Sequence, residues 1–97
     1  MIEENLKENY RKVAFNLYTL RTVKGWTQEQ LAIFSNVERA KISRIENYRE
    51  DFLFSTILKL AATLDVPTQA LLDLSVDVPP DFEQNRKKQP KKRNKQS

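Results

Sequence analysis

Residues 24 to 49, KGWTQEQLAIFSNVERAKISRIENYR, read as two short helices with almost nothing between them, and they constrain the fold more than any other segment. Gly25 can adopt the left-handed conformation that ends a preceding helix, and Thr27 followed by Gln30 forms a capping box that opens the next. Leu31 and Ala32 then point inward, where the small Ala32 lets a second helix cross closely. Asn36 tolerates φ > 0 at the corner, Val37 plugs the space beneath it, and Ile42 and Ile45 anchor the following helix. The turn is too tight to hold a catalytic loop. Left outward on the second of these helices are Arg39, Ala40, Lys41, Ser43 and Arg44.

This is the pattern of a helix-turn-helix, and those outward residues suit a groove lined with phosphates and base edges. The segment resembles the lambda repressor/Cro-like, or Xre, family of mostly prokaryotic and phage transcription regulators. KGWTQEQLA resembles the family's opening of the second helix, VERAKISRIEN its recognition helix, and LKLAATLDVPTQALL its fourth and fifth helices, so residues 10 to 74 or so are covered. The Ser35-Asn36 turn with Val37-x-Arg39 and Ile42-Ser43 is similar to the controller proteins of restriction-modification systems, and phage repressors and antitoxins share the fold. The resemblance implies an all-α protein: a five-helix lambda repressor-like DNA-binding domain over residues 1–76 with the helix-turn-helix at helices 2 and 3. A Pro-containing linker and a basic disordered C-terminal tail are expected over 77–97. Five residues depart from the family pattern: Tyr48 stands where a glycine is common, Asn36 at the usual corner glycine, Ser35 at a usually apolar site, and Ile33 and Phe34 at usually polar ones, so that either helix two packs with a slightly different face or a partner covers part of that apolar surface. Asn47 is an alternative source of the left-handed residue near Tyr48.

Composition removes most enzymatic chemistry. A chain of 97 residues is one domain with one modest core, which a partner subunit would help to stabilise. No cysteine means no disulfide or thiolate metal site, and no histidine removes the commonest metal ligand and general base. No nucleophile, base and orienting group converge at recognisable spacing, so neither an enzyme nor a cofactor is expected. MIEENLKENY is unlike a signal peptide, and no segment approaches the ~20 apolar residues of a membrane span. A soluble, cytoplasmic protein, on the nucleoid when bound to DNA, is the expectation.

The net charge of +4 is unevenly placed. Residues 1 to 83 carry 10 Lys/Arg against 13 Asp/Glu, a net −3, whereas residues 84 to 97 carry 7 Lys/Arg and no acid. The basic balance therefore says nothing about the folded body. Local clustering must carry that argument: Arg39, Lys41, Arg44 and Arg49 lie close together, and Arg11, Lys12, Arg21 and Lys24 lie on or near the first helix. Together they suggest one basic face.

Five helices are expected. Leu6, Tyr10, Val13, Leu17 and Leu20 form an apolar stripe that makes residues 4 to 24 amphipathic and packs it on the core. Helix two runs from Gln28 to Phe34 and helix three from Arg39 to Asn47. Ser55 or Thr56 caps a fourth helix whose buried face is Ile57, Leu58, Ala61 and Leu64. Pro67 starts a fifth, containing Ala70, Leu71, Leu72 and Leu74. Pro79-Pro80 ends regular structure, and RKKQPKKRNKQS has no apolar residue with which to fold.

Arg39 sits where its guanidinium can reach a guanine's O6 and N7, the alternative being a solvated surface arginine. The resemblance places Ala40 and Lys41 at positions that reach base edges. Ser43 and Arg44, one helical step further, face bases or phosphates. Gln28, at the first turn of helix two, has free N–H groups and the positive helix end for a phosphate, a role the resemblance also implies. Asn47, Tyr48 and Arg49 follow the recognition helix and are candidates to grip phosphates, while Glu46 is expected to pair with neighbouring arginines.

In the apolar run Phe52-Leu53-Phe54, which lies in a connection, only Phe54 is expected to anchor the core. Phe52, Leu53, Leu72, Leu74 and Val76 either fill the core or form a subunit contact. The function expected is a sequence-specific regulator, repressor or controller, that binds a palindromic double-stranded DNA operator as a homodimer. The alternative is an antitoxin or interaction module whose basic tail engages a partner protein. The tail is a solubilising extension, an expression remnant or a nonspecific electrostatic arm.

Overall fold

A computed structural model describes residues 2–48 and 52–87 and contains, over these, six helices and no strand. They are α1 (Ile2–Val23), α2 (Gln28–Ser35), α3 (Arg39–Glu46), α4 (Phe54–Leu64), α5 (Thr68–Leu71) and α6 (Phe82–Lys87). Arg49 and residues 88–97, to which the expected phosphate contact and most of the basic tail belong, lie outside the described residues.

Backbone chemistry sets the boundaries. Gly25, at φ 77°, closes α1: its N–H donates to the Thr22 carbonyl at 2.9 Å and the Trp26 N–H to the Arg21 carbonyl at 3.2 Å. One residue later the Thr27–Gln30 capping box is fully formed, at 3.1 and 2.8 Å, and starts α2. Asn36, at φ 60°, ends α2 with its N–H on the Ala32 carbonyl at 2.9 Å. Buried Ser35 is explained by the same turn, since its hydroxyl accepts the Val37 N–H at 3.2 Å. Asp65, also left-handed at φ 61°, closes α4 in the manner of Gly25.

The core is continuous across the first five helices: Val13 and Leu17 of α1, Leu31 of α2, Ile42 and Ile45 of α3, Ile57, Leu60, Ala61 and Leu64 of α4, and Leu71 of α5, with Val37 beneath the turn. Complete burial of a Leu or Ile contributes about 1.5–3 kcal/mol, so this cluster holds α2 and α3 at a fixed crossing. Asn16 adds a polar tie, its buried amide donating to the Leu71 and Asp73 carbonyls at 2.9 Å each.

Several expectations are corrected. Leu6 and Leu58 are exposed, because α1 outruns the domain beneath its first turns and α4 turns Leu60 rather than Leu58 inward. Phe54 is 61% exposed, whereas Phe52 packs on the core with its ring 5.8 Å from that of Tyr10. The cap of α4 is Leu53, with no side-chain bond from Ser55 or Thr56, and α5 stops before Leu72 and Leu74. The left-handed residue after α3 is Tyr48 itself, at φ 42°, while Asn47 has φ −101°. Pro79-Pro80 does not end regular structure: α6 follows, and its Phe82 is 2% exposed, edge-on to Phe15 and Tyr18 at 5.4 and 5.5 Å. Arg86 and Lys87, assigned by sequence to an unstructured tail, belong to this helix. No helix among the described residues is long and apolar enough to cross a membrane.

Candidate nucleic-acid interface

Arg39, Ala40, Lys41 and Arg44 are all exposed on α3, while Ile42 and Ile45 bury the other side. At 1.5 Å rise per residue the outward row from Arg39 to Arg44 spans roughly 7–8 Å along the axis, enough to meet a few base pairs. Ser43 is half-buried, its carbonyl and hydroxyl accepting from the Asn47 amide at 2.8 and 3.3 Å. Asn47 therefore folds back on α3 and closes its last turn.

A buried ion pair fixes how α3 is presented. The Arg21 guanidinium of α1 donates from Nε to Glu46 Oε2 at 2.7 Å and from Nη2 to Oε1 at 2.9 Å; the two residues are 1% and 0% exposed. Arg21 Nη1 also donates to the Trp26 carbonyl at 2.7 Å, and Gln28 Nε2 donates to Glu46 Oε1 at 3.0 Å. One carboxylate thus joins α1, the first residue of α2 and the last residue of α3. Glu46 is structural, as expected, but its arginine comes from α1 rather than from α3.

The basic face is narrower than the sequence suggested. Arg21 is internal, Arg11 binds Glu83 at 2.8 Å and the Pro79 carbonyl at 2.9 Å, and Lys12 donates to the Leu74 carbonyl at 2.9 Å. Of the four cations assigned to the first helix, Lys24 is exposed, with its ammonium 5.6 Å from the Trp26 ring centre. The exposed cations beside the candidate groove are those of α3. Gln28 is half-buried with one amide N–H given to Glu46, so its second amide N–H and its backbone N–H remain to meet an anion.

At the C-terminal end of α3 sits a cluster that sequence reasoning missed, in which Tyr48, expected at a phosphate, and Arg11, expected on a basic face, are instead tied to Glu83 of α6. The Tyr48 hydroxyl donates to Glu83 of α6, and Arg86 Nη1 donates to the Glu46 carbonyl. The Arg11 guanidinium, aided by the Tyr48 hydroxyl, holds the Glu83 carboxyl down at about 2. Glu83 raises Arg11 in return, and burial, with the hydrogen bond to Glu83, raises Tyr48. Phe82, a lone aromatic in a charged stretch, was the available signal for this docking. Arg21 carried one too, since it continues the Leu17 stripe by one turn and so places a charge at a core position.

A packed all-helical unit whose third helix is held from behind and presents cations and small side chains to solvent is a helix-turn-helix domain. The helix-turn-helix family model matches residues 17–71, and the chain belongs to that family, in its lambda repressor-like, Xre branch. A hypothetical transcription factor of Neisseria meningitidis serogroup B is 38% identical over 60 residues, which are 62% of this chain and 57% of that protein. The match thus spans little more than half of the curated relative. The crystal structure of the hypothetical transcription factor NHTF from Neisseria is similar with a TM-score of 0.63 at 32% identity, over 80% of this chain and 84% of the other. That of the restriction-modification controller protein C.AhdI from Aeromonas hydrophila gives 0.62 at 35% identity, over 64% and 94%.

Proposed function

We propose that this chain is a sequence-specific transcriptional regulator of repressor or controller type that acts by occupying a palindromic operator as a homodimer, without catalysis or a cofactor. The observation that carries this reading is the exposed α3 face, with Arg39, Ala40, Lys41 and Arg44 outward and Glu46 locked from behind by Arg21. Rigid backing favours readout, because a bidentate arginine–guanine contact requires a fixed guanidinium position. Arg39 and Lys41 are assigned to base edges, Ala40 to a thymine methyl, and Ser43 and Arg44 to bases or adjoining phosphates. Gln28 is assigned to a phosphate, and so is Arg49, which lies outside the described residues, whereas the Asn47 amide and the Tyr48 hydroxyl, expected from the sequence to grip phosphates, are instead committed to Ser43 and Glu83. The relatives described as transcription factor and controller protein support the regulatory role.

One such helix reads too few base pairs to select a site in a genome, so two copies related by a two-fold axis are required. Surface for that contact exists. Leu53, Phe54, Leu58 and Leu74 are exposed, and a shallow apolar groove runs between Phe54, Pro67, Ala70, Leu72 and Leu74. Hydroxyl-radical footprinting on duplexes enriched from a random pool tests the reading: two protected patches with centres about 34 Å apart are expected. A single protected patch, with a monomer in sedimentation at tens of micromolar, contradicts the dimer.

A further inference from the structure

We propose that α6 is a positioning element for DNA recognition: through Glu83 and Arg86 it holds Tyr48 and the C-terminal end of α3, and so fixes the angle at which the outward row of α3 meets the bases. The inference rests on the DNA-binding reading above and assigns Phe82, Glu83 and Arg86 a part in it.

Tyr48 is where the hold is needed. At φ 42° its Cβ crowds its own backbone, a conformation that glycine adopts freely and that a bulky residue keeps only when surrounding contacts impose it. Those contacts come from α6. The Tyr48 hydroxyl donates to the Glu83 carboxylate, 35 residues further along the chain, and Arg11 of α1 donates to the same carboxylate at 2.8 Å.

The end of α3 needs a second hold. An eight-residue helix has only about two turns, and the carbonyls of its last turn have no partner within the helix. Arg86 Nη1 donates to that of Glu46, where a cation also suits the negative end of the α3 dipole. Glu46 is thus gripped twice, at its carboxylate by Arg21 of α1 and at its carbonyl by Arg86 of α6. Phe82 anchors α6 in turn: it is buried edge-on to Phe15 and Tyr18 of α1, with the Arg86 guanidinium 5.1 Å from its ring centre. Both grips therefore run back to α1, which serves as a common frame. A bidentate base contact survives only small angular errors, whereas attraction to phosphates does not depend on them. A recognition helix whose last turn frays should lose discrimination before it loses affinity for DNA in general.

The test uses full-length chains, a duplex enriched by the wild type from a random pool, and a scrambled duplex of equal length. Glu83→Gln keeps the size of the side chain but removes the charge that Arg11 and Tyr48 share. The ratio of enriched to scrambled affinity should fall about tenfold, within what one bidentate contact supplies, while the scrambled duplex binds as well as before or better. Without DNA, the Asn47 and Tyr48 amide protons, bonded to the Ser43 and Ile45 carbonyls, should exchange faster, and that of Leu31, bonded to the Thr27 carbonyl, at its wild-type rate. Adding Tyr48→Gly relieves the left-handed strain at its source and should restore most of the ratio. An unchanged ratio or unchanged exchange overturns the proposal, and so does an equal loss on both duplexes. A loss that Tyr48→Gly leaves in place overturns it as well, because the hold would then not act through that residue. Failure of the wild type to enrich any duplex contradicts the DNA-binding reading instead, and the exchange of the Asn47 and Tyr48 amides still tests the hold of α6 on α3.

Discussion

Arg21 of α1 grips the Glu46 carboxylate at the end of α3 through two hydrogen bonds, of 2.7 and 2.9 Å, with both side chains shut off from water. Removing one member strands a buried charge. Arg21→Ala or Glu46→Ala should therefore cost about 3–5 kcal/mol in urea unfolding. The Arg21→Met, Glu46→Leu double variant should recover part of that loss, though not all, because Gln28 and the Trp26 carbonyl lose their partners too. Single variants within 1 kcal/mol of wild type would show the pair to be idle.

Asn36 turns the chain from α2 into α3 at φ 60°. Asn36→Ala should destabilise by about 1 kcal/mol, because Ala lacks the short polar side chain by which Asn tolerates the left-handed region, while Asn36→Gly, which removes the Cβ altogether, should be neutral or slightly stabilising. Thermal melts of the two variants decide it, and equal melting temperatures would refute the conformational explanation.

The helix-turn-helix was legible because its signals are local. Gly25, the Thr27–Gln30 box, Asn36 and Val37 each act within a few residues, and each sits in the structure as its chemistry dictates. The spacing of Ile42 and Ile45 likewise gave the outward row on α3. Long-range pairings were not legible. Arg21 and Glu46 are 25 residues apart, and Arg11 and Glu83 are 72 apart, so periodicity could not distinguish these arginines from surface cations. Phe52 and Phe54 were exchanged because two aromatics flanking Leu53 offer no local cue to which one meets Tyr10. The six-residue α6 was missed because its stability comes from docking rather than from its own sequence.

Docking of α6 should have limits in pH at both ends. Glu83 ionises in the docked state at about 2 against an ordinary 4.5, chiefly through Arg11, so its stabilisation is complete above about 4.5 and disappears as pH falls towards 2. Tyr48 is raised above its ordinary 10, so its stabilisation is present below 10 and is lost as pH rises through the raised value. The Phe82 ring resonances, followed by NMR against pH, should report both limbs. In Glu83→Gln the acid limb should vanish; its persistence would assign the acid transition to another group.

Leu74 is 43% exposed, so a charge there costs the isolated subunit little. Leu74→Glu should retain the wild-type helical signal yet sediment as a monomer and lose cooperative operator binding. A Leu74→Glu chain that still sediments as a dimer would move the interface elsewhere.

The most direct test of the recognition face is a parallel selection of random duplexes by wild type and Arg39→Ala. Loss of a bidentate contact should weaken the best site by about 1–3 kcal/mol and relax the preference at one base position per half-site, leaving the other positions intact. Gln28→Ala, which removes an amide that braces Glu46 and can face a phosphate but touches no base, should lower all affinities alike. If Arg39→Ala enriches the same sequences with the wild-type preference at every position, α3 does not read DNA through Arg39 and the central claim fails.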